Sequence, residues 1–429
     1  LKNAQKTVYL ERAWLVGMVD PETDLRRTDP LAELDSLAET AGAHVVGRTF
    51  QKRERPDPRT FIGSGKVAEL SRLARENEVD VFIFDHDLSP AQVRSLEKEI
   101  GRRVIDRTEL ILDIFATHAR SKQAKLQVEL AQLEYNLPRL RRMWTHVTGE
   151  QQAGGAVGIG MRGPGEQQIE SDRRIARKRI TDLKREIAEI QRRKQREVEA
   201  RNSESFTVSL VGYTNAGKST LMNALTHAGV LVEDRLFSTL DTRTRIWPLR
   251  NGLRVLLSDT VGFIRSLPHD LVTSFHATLE EVAQADLLLH VVDASHPEAT
   301  DQIEAVNAAL GELECLETPT LLLLNKVDRF RDPVEITLLR NRFPKAILVS
   351  AATGQGLDAL DSRLQEIVDE RLVEVIADIP HAEGKLLAEL AANALIVRRE
   401  FINEHARMTL RVPPRLLWKV ERFRVRTGA

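Results

Sequence analysis

Cysteine is almost absent from this chain. The one thiol, Cys315, excludes an internal disulfide and any cysteine-rich zinc module, and it suits a reducing compartment. The 11 histidines are scattered, with no HExxH and no Cys/His cluster, so a metal cage built by protein alone is not expected. No apolar run reaches the roughly 18 residues of a membrane-spanning helix. The opening Leu1-Lys2-Asn3-Ala4-Gln5-Lys6 lacks the apolar centre of a secretory leader, and a start at Leu rather than Met is expected to reflect trimming. Net charge is nearly absent too. The 429 residues carry 62 Lys plus Arg against 63 Asp plus Glu, a net −1, which at first sight excludes a nucleic-acid binder.

Mapping the charge along the chain reverses that exclusion. Residues 120–201 hold 19 Lys plus Arg against 11 Asp plus Glu, a net +8, and the rest of the chain is left at −9. A cationic segment in an acidic chain points to a surface for a polyanion; the plainer reading is a solvated helix hairpin of mixed charge. At about 100–200 residues per domain, the length predicts two to four domains, and the 42% apolar content predicts packed cores.

The fold class is read as α/β. Residues 1–119 alternate apolar runs with helical patterns, with strands at 13–19, 44–50 and 79–85 and helices at 31–41 and 90–100, the last opened by Ser89 as N-cap. Such alternation implies a mostly parallel sheet. Residues 120–202 differ. Leu126, Leu130, Leu133, Leu137 and Leu140 step by four and three, as do Ala176, Ile180, Leu183, Ile187 and Ile190. Two heptad seams predict an antiparallel helical hairpin, interrupted at Pro138. Between them, residues 149–165 hold seven of the chain's 23 glycines, which predicts a tip without regular structure. Arg162 lies on that tip, with Arg139, Arg141, Arg142, Arg173, Arg174, Arg177, Lys178 and Arg179 behind it. Tyr135 and Trp144 could stack on bases but read more readily as packing residues. Residues 203–372 return to α/β alternation, with strands at 206–211, 253–258, 287–292, 320–325 and 346–350. Residues 373–429 read as a small α+β segment.

Four motifs punctuate residues 203–372. Gly212-Tyr213-Thr214-Asn215-Ala216-Gly217-Lys218-Ser219, followed by Thr220, matches the phosphate-binding loop GxxxxGK[ST]. There, glycines let backbone N–H groups turn toward phosphate oxygens, Lys218 supplies a point charge, and the Ser219 hydroxyl suits Mg²⁺. Asp259-Thr260-Val261-Gly262 follows an apolar strand; Asp259 can hold the Mg²⁺ through water, and Gly262 offers a backbone N–H near the γ-phosphate. Asn325-Lys326-Val327-Asp328 selects the base. Asp328 can accept from the guanine N1–H and exocyclic amine, whereas adenine would leave that carboxylate unpaired, at a cost of about 2–5 kcal/mol. Ser350-Ala351-Ala352 ends the last strand, where a backbone N–H can meet the guanine carbonyl oxygen. Four motifs in this order, each after a strand, define a guanine-nucleotide domain. A further hydroxyl for Mg²⁺ must lie between the P-loop and Asp259. Ser238, Thr239, Thr242 and Thr244 all qualify by spacing; Thr239, within Phe237-Ser238-Thr239-Leu240-Asp241, is taken forward. Phe263 stands just after DxxG, where many GTPases carry a water-orienting glutamine, so slow intrinsic turnover is expected. Asn215 raises K⁺ as a second cation, against the alternative of an Asn bonding its own loop. Phe61-Ile62-Gly63-Ser64-Gly65-Lys66 is too short for a second P-loop and reads as a turn opening a helix.

The order of motifs resembles the HflX-type GTPases, in the same superfamily as the Obg proteins. The matching stretches are Phe84-Asp85-His86, Leu88-Ser89-Pro90, Val104 to Thr108, Lys125 to Leu133, Arg162-Gly163-Pro164-Gly165-Glu166, Gly212 to Thr220, Phe237 to Asp241 and Asp259 to Ile264. The resemblance spans nearly the whole chain and is weakest after residue 373. It implies four parts: an N-terminal α/β domain (1–119), a helical linker (120–202), the GTPase domain (203–372) and a C-terminal α+β domain (373–429). It also implies that Thr239 is the Mg²⁺-binding threonine, and that the protein binds the large (50S) ribosomal subunit through rRNA and splits or rescues stalled 70S ribosomes with GTP. A free monomer in the cytoplasm, partly peripheral at the membrane, is expected. Two departures, Gln167-Gln168 in place of the usual Thr-Gln and a longer glycine tip, bear on the contacts of the tip.

Overall fold

Buried apolar runs become parallel strands in two separate sheets. A computed structural model of the chain describes residues 8–21, 29–139, 164–202, 205–226, 236–237, 242–265, 281–330, 332–402 and 404–425. The chain divides into two compact units: Leu1–Gln191 with Asp234–Leu240 and Ser266–Phe275, and Arg192–Glu233 with Asp241–Arg265 and His276–Ala429.

In the first unit, β1 (Arg12–Val19), β2 (His44–Lys52), β3 (Val81–Phe84) and β4 (Arg103–Asp106) form a parallel sheet in the order β2-β1-β3-β4. The all-apolar sequence Val81-Phe82-Ile83-Phe84 is buried throughout, as a strand covered on both faces requires. Helix Pro90–Ile100 starts at the expected Ser89: the Ser89 hydroxyl accepts from Gln92 N, Gln92 reaches back to Ser89 N, and Gly101 ends the helix in the left-handed region. The Gly63–Lys66 stretch opens helix Ser64–Glu76, with Lys66 paired to Glu69 at 2.8 Å, as the plain reading has it.

The first linker helix, Lys122–Asn136, stops just before Pro138, and a 3₁₀ turn follows at Leu137–Arg139. The second runs Pro164–Asn202. Leu126 and Leu130 pack with Leu183 and Ile187, flanked by Leu133, Ile180 and Ile190, so the expected seam forms. The ion pairs Glu129–Arg179 (2.7 Å) and Glu134–Lys184 (2.8 Å) lie beside it.

In the second unit, β5 (Phe206–Gly212), β6 (Arg243–Pro248), β7 (Arg254–Asp259), β8 (Leu287–Asp293), β9 (Thr320–Asn325) and β10 (Ile347–Leu348) form a sheet in the order β10-β9-β8-β5-β7-β6. All pairs are parallel except β6 with β7. Its apolar core gathers Val208, Leu210, Leu221, Met222, Leu257, Leu289 and Val291. The same unit holds the antiparallel sheet of β11 (Val373–Pro380), β12 (Leu395–Ile402) and β13 (His405–Val412), in the order β11-β13-β12, with helices Gly384–Asn393 and Pro414–Glu421. Among the described residues, no helix is long and apolar enough to cross a membrane.

Candidate functional site

The motifs gather where the parallel strands of the second sheet end. β5 runs directly into the P-loop, and helix Lys218–Thr226 follows it. The loop is held from below: Thr214 N donates to Phe263 O (2.7 Å) and Phe263 N to Gly212 O (3.1 Å). This explains the apolar residue after DxxG. Phe263 is 3% exposed and serves as a brace for the loop, and Arg265 N donates to the Tyr213 hydroxyl at 2.7 Å to extend that brace.

Two glycines are required by close approach. Gly217 has φ +94°, and a Cβ there would fall 2.4 Å from Asn325 Nδ2. At Gly262 a Cβ would fall 2.8 Å from Thr214 Cα and 3.0 Å from Lys218 Nζ. The P-loop is thereby pressed against both other motifs. Asn325 Nδ2 donates to Ala216 O (2.9 Å), and Ala351 N donates to Asn325 Oδ1 (3.0 Å), so Asn325 joins the P-loop to the last strand end. Lys326, with φ +63°, sends its ammonium to Asn215 O (2.7 Å) and Asp293 (2.8 Å). The Ser350 hydroxyl donates to Asp328 Oδ1, fixing that carboxylate, and Val327 N donates to Val349 O.

Lys218 is 7% exposed; its ammonium donates to Gly212 O (3.0 Å) and Tyr213 O (2.8 Å). An ammonium has three donors, so these bonds aim the side chain and leave one for a phosphate oxygen. Burial brings the Lys218 pKa down to about 8, opposed by the charge of Asp259. Ser219 Oγ donates to Asp259 Oδ2 at 2.6 Å, and Asp259 is fully buried. A hydroxyl and a carboxylate beside a phosphate-binding loop are the hard oxygen donors that Mg²⁺ takes, so the residues fit that ion. The Thr260 hydroxyl donates to Leu210 O (2.6 Å), and Val261 is buried.

Among the four hydroxyl candidates, two are engaged elsewhere. Thr242 Oγ1 donates to Glu281 Oε1 (3.0 Å), and Thr244 Oγ1 lies 3.0 Å from Ser258 Oγ and donates to Glu281 Oε2 at 3.4 Å. Ser238, Thr239, Leu240 and Asp241 lie outside the described residues, as do Arg141, Arg142, Trp144, the 149–163 tip with Arg162, and the side chains of Pro164, Gly165, Glu166, Gln167 and Gln168. Phe237 is described, and its ring is 2% exposed in the first unit, edge-on to Phe115 at 4.7 Å. Asn215 is exposed with φ +57°, a conformation Asn tolerates. Asp293, Glu281 and Lys194 escaped sequence reasoning. Only Asp293, an acid ending the buried run Leu287–Val292, had a local signal.

Along the basic arm, Arg139 is not available to a polyanion. It donates to Leu88 O (2.7 Å), pairs with Asp106 (3.3 Å) and stacks on Tyr135 at 3.6 Å. Tyr135 is buried and donates its hydroxyl to Asp106, so it is a packing residue. Arg179 is clamped by both Glu129 oxygens. Arg174, Arg177 and Lys178 are exposed.

A P-loop, a DxxG brace, NKxD and a Ser-Ala-Ala strand end on one sheet define a guanine-nucleotide-binding P-loop GTPase. Three family profiles match in order: GTP-binding GTPase N-terminal at residues 28–116, GTP-binding GTPase middle region at 118–201, and 50S ribosome-binding GTPase at 207–326. GTPase HflX of Magnetococcus marinus is 45% identical over 416 residues, covering 96% of this chain and 94% of that protein. GTPase HflX of Escherichia coli K12 is 42% identical over 386 residues, covering 90% and 89%. A GTP-binding protein from Sulfolobus solfataricus, solved with GDP, aligns with 84% of this chain and 99% of its own at 24% identity and a TM-score of 0.43. The chain belongs to the HflX family of GTPases.

Proposed function

We propose that this GTPase binds the large ribosomal subunit through rRNA and uses GTP to split or rescue stalled 70S ribosomes. Membership of the HflX family carries the reading; the match of residues 207–326 to a profile described as a 50S ribosome-binding GTPase supports it. So does the +8 charge of residues 120–201, with Arg174, Arg177 and Lys178 exposed on one long helix, since neutralising rRNA phosphates gives affinity without sequence. The protein acts in the cytoplasm and is monomeric when free.

At the nucleotide site, Lys218 meets the β- and γ-phosphates, Gly262 N–H meets the γ-phosphate, and Asn325 and Asp328 hold guanine. Ser219 and Thr239 would hold Mg²⁺, which supplies charge neutralisation during phosphoryl transfer. With Phe263 locked beneath the P-loop, no side chain at that position orients water, and intrinsic turnover is slow. Asn215 is the residue through which K⁺ would act; equal rates in K⁺ and Na⁺ would remove K⁺ from the mechanism.

Light scattering of 70S particles tests the whole reading. Adding protein with GTP is expected to lower the signal, and the variant Arg174→Glu/Arg177→Glu/Lys178→Glu is expected to lose that effect while binding GDP normally. Co-sedimentation with immature precursor particles alone would assign the protein to ribosome assembly instead.

A further inference from the structure

We propose that Lys194 and Glu281 are positioning residues for GTP hydrolysis, tying the long linker helix to the segments on either side of the nucleotide site. The inference rests on the GTPase activity and not on the ribosomal reading. Lys194 lies on helix Pro164–Asn202. Its ammonium stands 3.1 Å from Glu281 Oε1 and donates to Thr242 Oγ1 at 2.9 Å, while Thr242 Oγ1 donates to that same carboxylate oxygen at 3.0 Å. The second oxygen, Oε2, accepts from Thr244 at 3.4 Å. The Glu281 main chain is held as well: Ser209 Oγ donates to its carbonyl at 2.9 Å.

Each anchor leads to the chemistry by a short path. Ser209 is on β5, which ends in Gly212 of the P-loop. Thr242 stands three residues after Thr239, and Thr244 pairs with Ser258, the neighbour of Asp259, across β6 and β7. The Lys194 side chain is 20% exposed and that of Glu281 7%, so the pair is largely out of water. Such a pair is not a cheap source of stability, because desolvation offsets most of its attraction. What it supplies is geometry. The Glu281 carboxylate joins the linker helix to Thr242 and Thr244 at the start of β6, and the main-chain carbonyl of the same residue holds β5, the strand that feeds the P-loop. A helix so attached bears on Asp259 through Thr244 and Ser258, although Lys194 lies in none of the four motifs.

Full-length protein without ribosomes gives the test, with steady-state GTP turnover and equilibrium binding of a fluorescent GDP analogue. Lys194→Met is expected to lower kcat about 10-fold while KM and GDP affinity stay within about 2-fold, because positioning rather than binding is lost. Lys194→Arg, which keeps the pair, is expected to retain most of the rate. Thr242→Val leaves no charge unpaired and guards against misfolding of the Met variant; a fall in kcat of about 3-fold is expected. The exchange Lys194→Glu/Glu281→Lys is expected to recover part of the rate lost in either single variant. Wild-type kcat in both Lys194→Met and Thr242→Val would overturn the proposal. So would losses of GDP affinity matching the losses of kcat, since a purely structural role moves both.

Discussion

Each of the two parallel sheets ends a strand on a fully buried aspartate: Asp106 on β4 and Asp259 on β7. Around Asp106 the chain fills the strand ends with its own side chains. Leu88 N (3.1 Å), Glu109 N (2.9 Å), the Tyr135 hydroxyl (2.7 Å) and Arg139 (3.3 Å) all donate to it. Beside them Arg107 is paired with Asp85 (2.7 Å) and Glu33 (2.9 Å). Around Asp259 the neighbours are a hydroxyl and loops that carry glycine, where Gly217 and Gly262 let backbones close up against Asn325 and Thr214. Parallel strand ends offer a crevice in both cases. At Asp106 the described side chains fill it; at Asp259 glycine-bearing loops line it.

The sharpest way to break this comparison is to disable each side in turn. Asp328→Asn is expected to weaken GTP binding about 100-fold, because the guanine N1–H and amine lose their acceptor, and to admit xanthosine triphosphate. Asp106→Asn is expected to leave GTP affinity unchanged. Equilibrium titration with labelled nucleotides decides, and a loss of GTP binding in Asp106→Asn would void the distinction.

Acid response should separate the two units with opposite sign. Burial, with Glu109 adding to it, pushes Asp106 up to about 6. Between about pH 4 and 6 the folded unit keeps a proton that the unfolded chain has lost, so stability falls as pH rises, by about 3 kcal/mol in all. Burial on β8, with the Lys218 charge adding to it, brings His290 down to about 4. Between about pH 4 and 6.5 the unfolded ring takes up a proton that the folded one refuses, so stability rises with pH by about 3 kcal/mol. Hydrogen exchange of the β4 and β8 amides, followed from pH 4 to 6.5, reads each unit separately. His290→Leu is expected to flatten only the β8 response.

The two halves also differed in how far the sequence alone could be read. Strand β9 was legible at both ends, because Leu321–Leu324 is apolar and the Asn of NKxD closes it. β6 was not: Arg243–Pro248 is an edge strand with one covered face, and its Arg, Thr and Pro residues mask the alternation. Most of the seam of the two linker helices was legible, because Leu126, Leu130, Leu133, Ile180, Leu183, Ile187 and Ile190 recur at heptad spacing. At the candidate site the four loops were visible as motifs. The bracing was not. Glu281 meets Lys194, and Lys326 meets Asp293, only after folding brings distant segments together, and no local period records such pairs.

Glycine substitutions sharpen the comparison at smaller cost. Gly101 has φ +77° and open space around it, so Gly101→Ala is expected to cost about 1 kcal/mol of stability and no activity. Gly262→Ala meets Thr214 backbone at 2.8 Å and must push the P-loop. A loss of kcat of about 10-fold is expected there, measured as GTP turnover.

Phe237 is the residue that crosses the comparison, because its sequence neighbours are the Thr239 motif while its ring is buried in the first unit. Its φ of +55° is unusual for a bulky side chain, a strain that persists only where surroundings impose it. The edge-on contact with Phe115, 4.7 Å between centroids, is such a constraint. Aromatic pairs of this geometry are worth about 1 kcal/mol beyond the area they bury. A cycle of Phe115→Leu, Phe237→Leu and the double variant, measured by chemical unfolding without nucleotide, is expected to return a coupling of about 1 kcal/mol. Additive effects would mean that the rings do not hold one another.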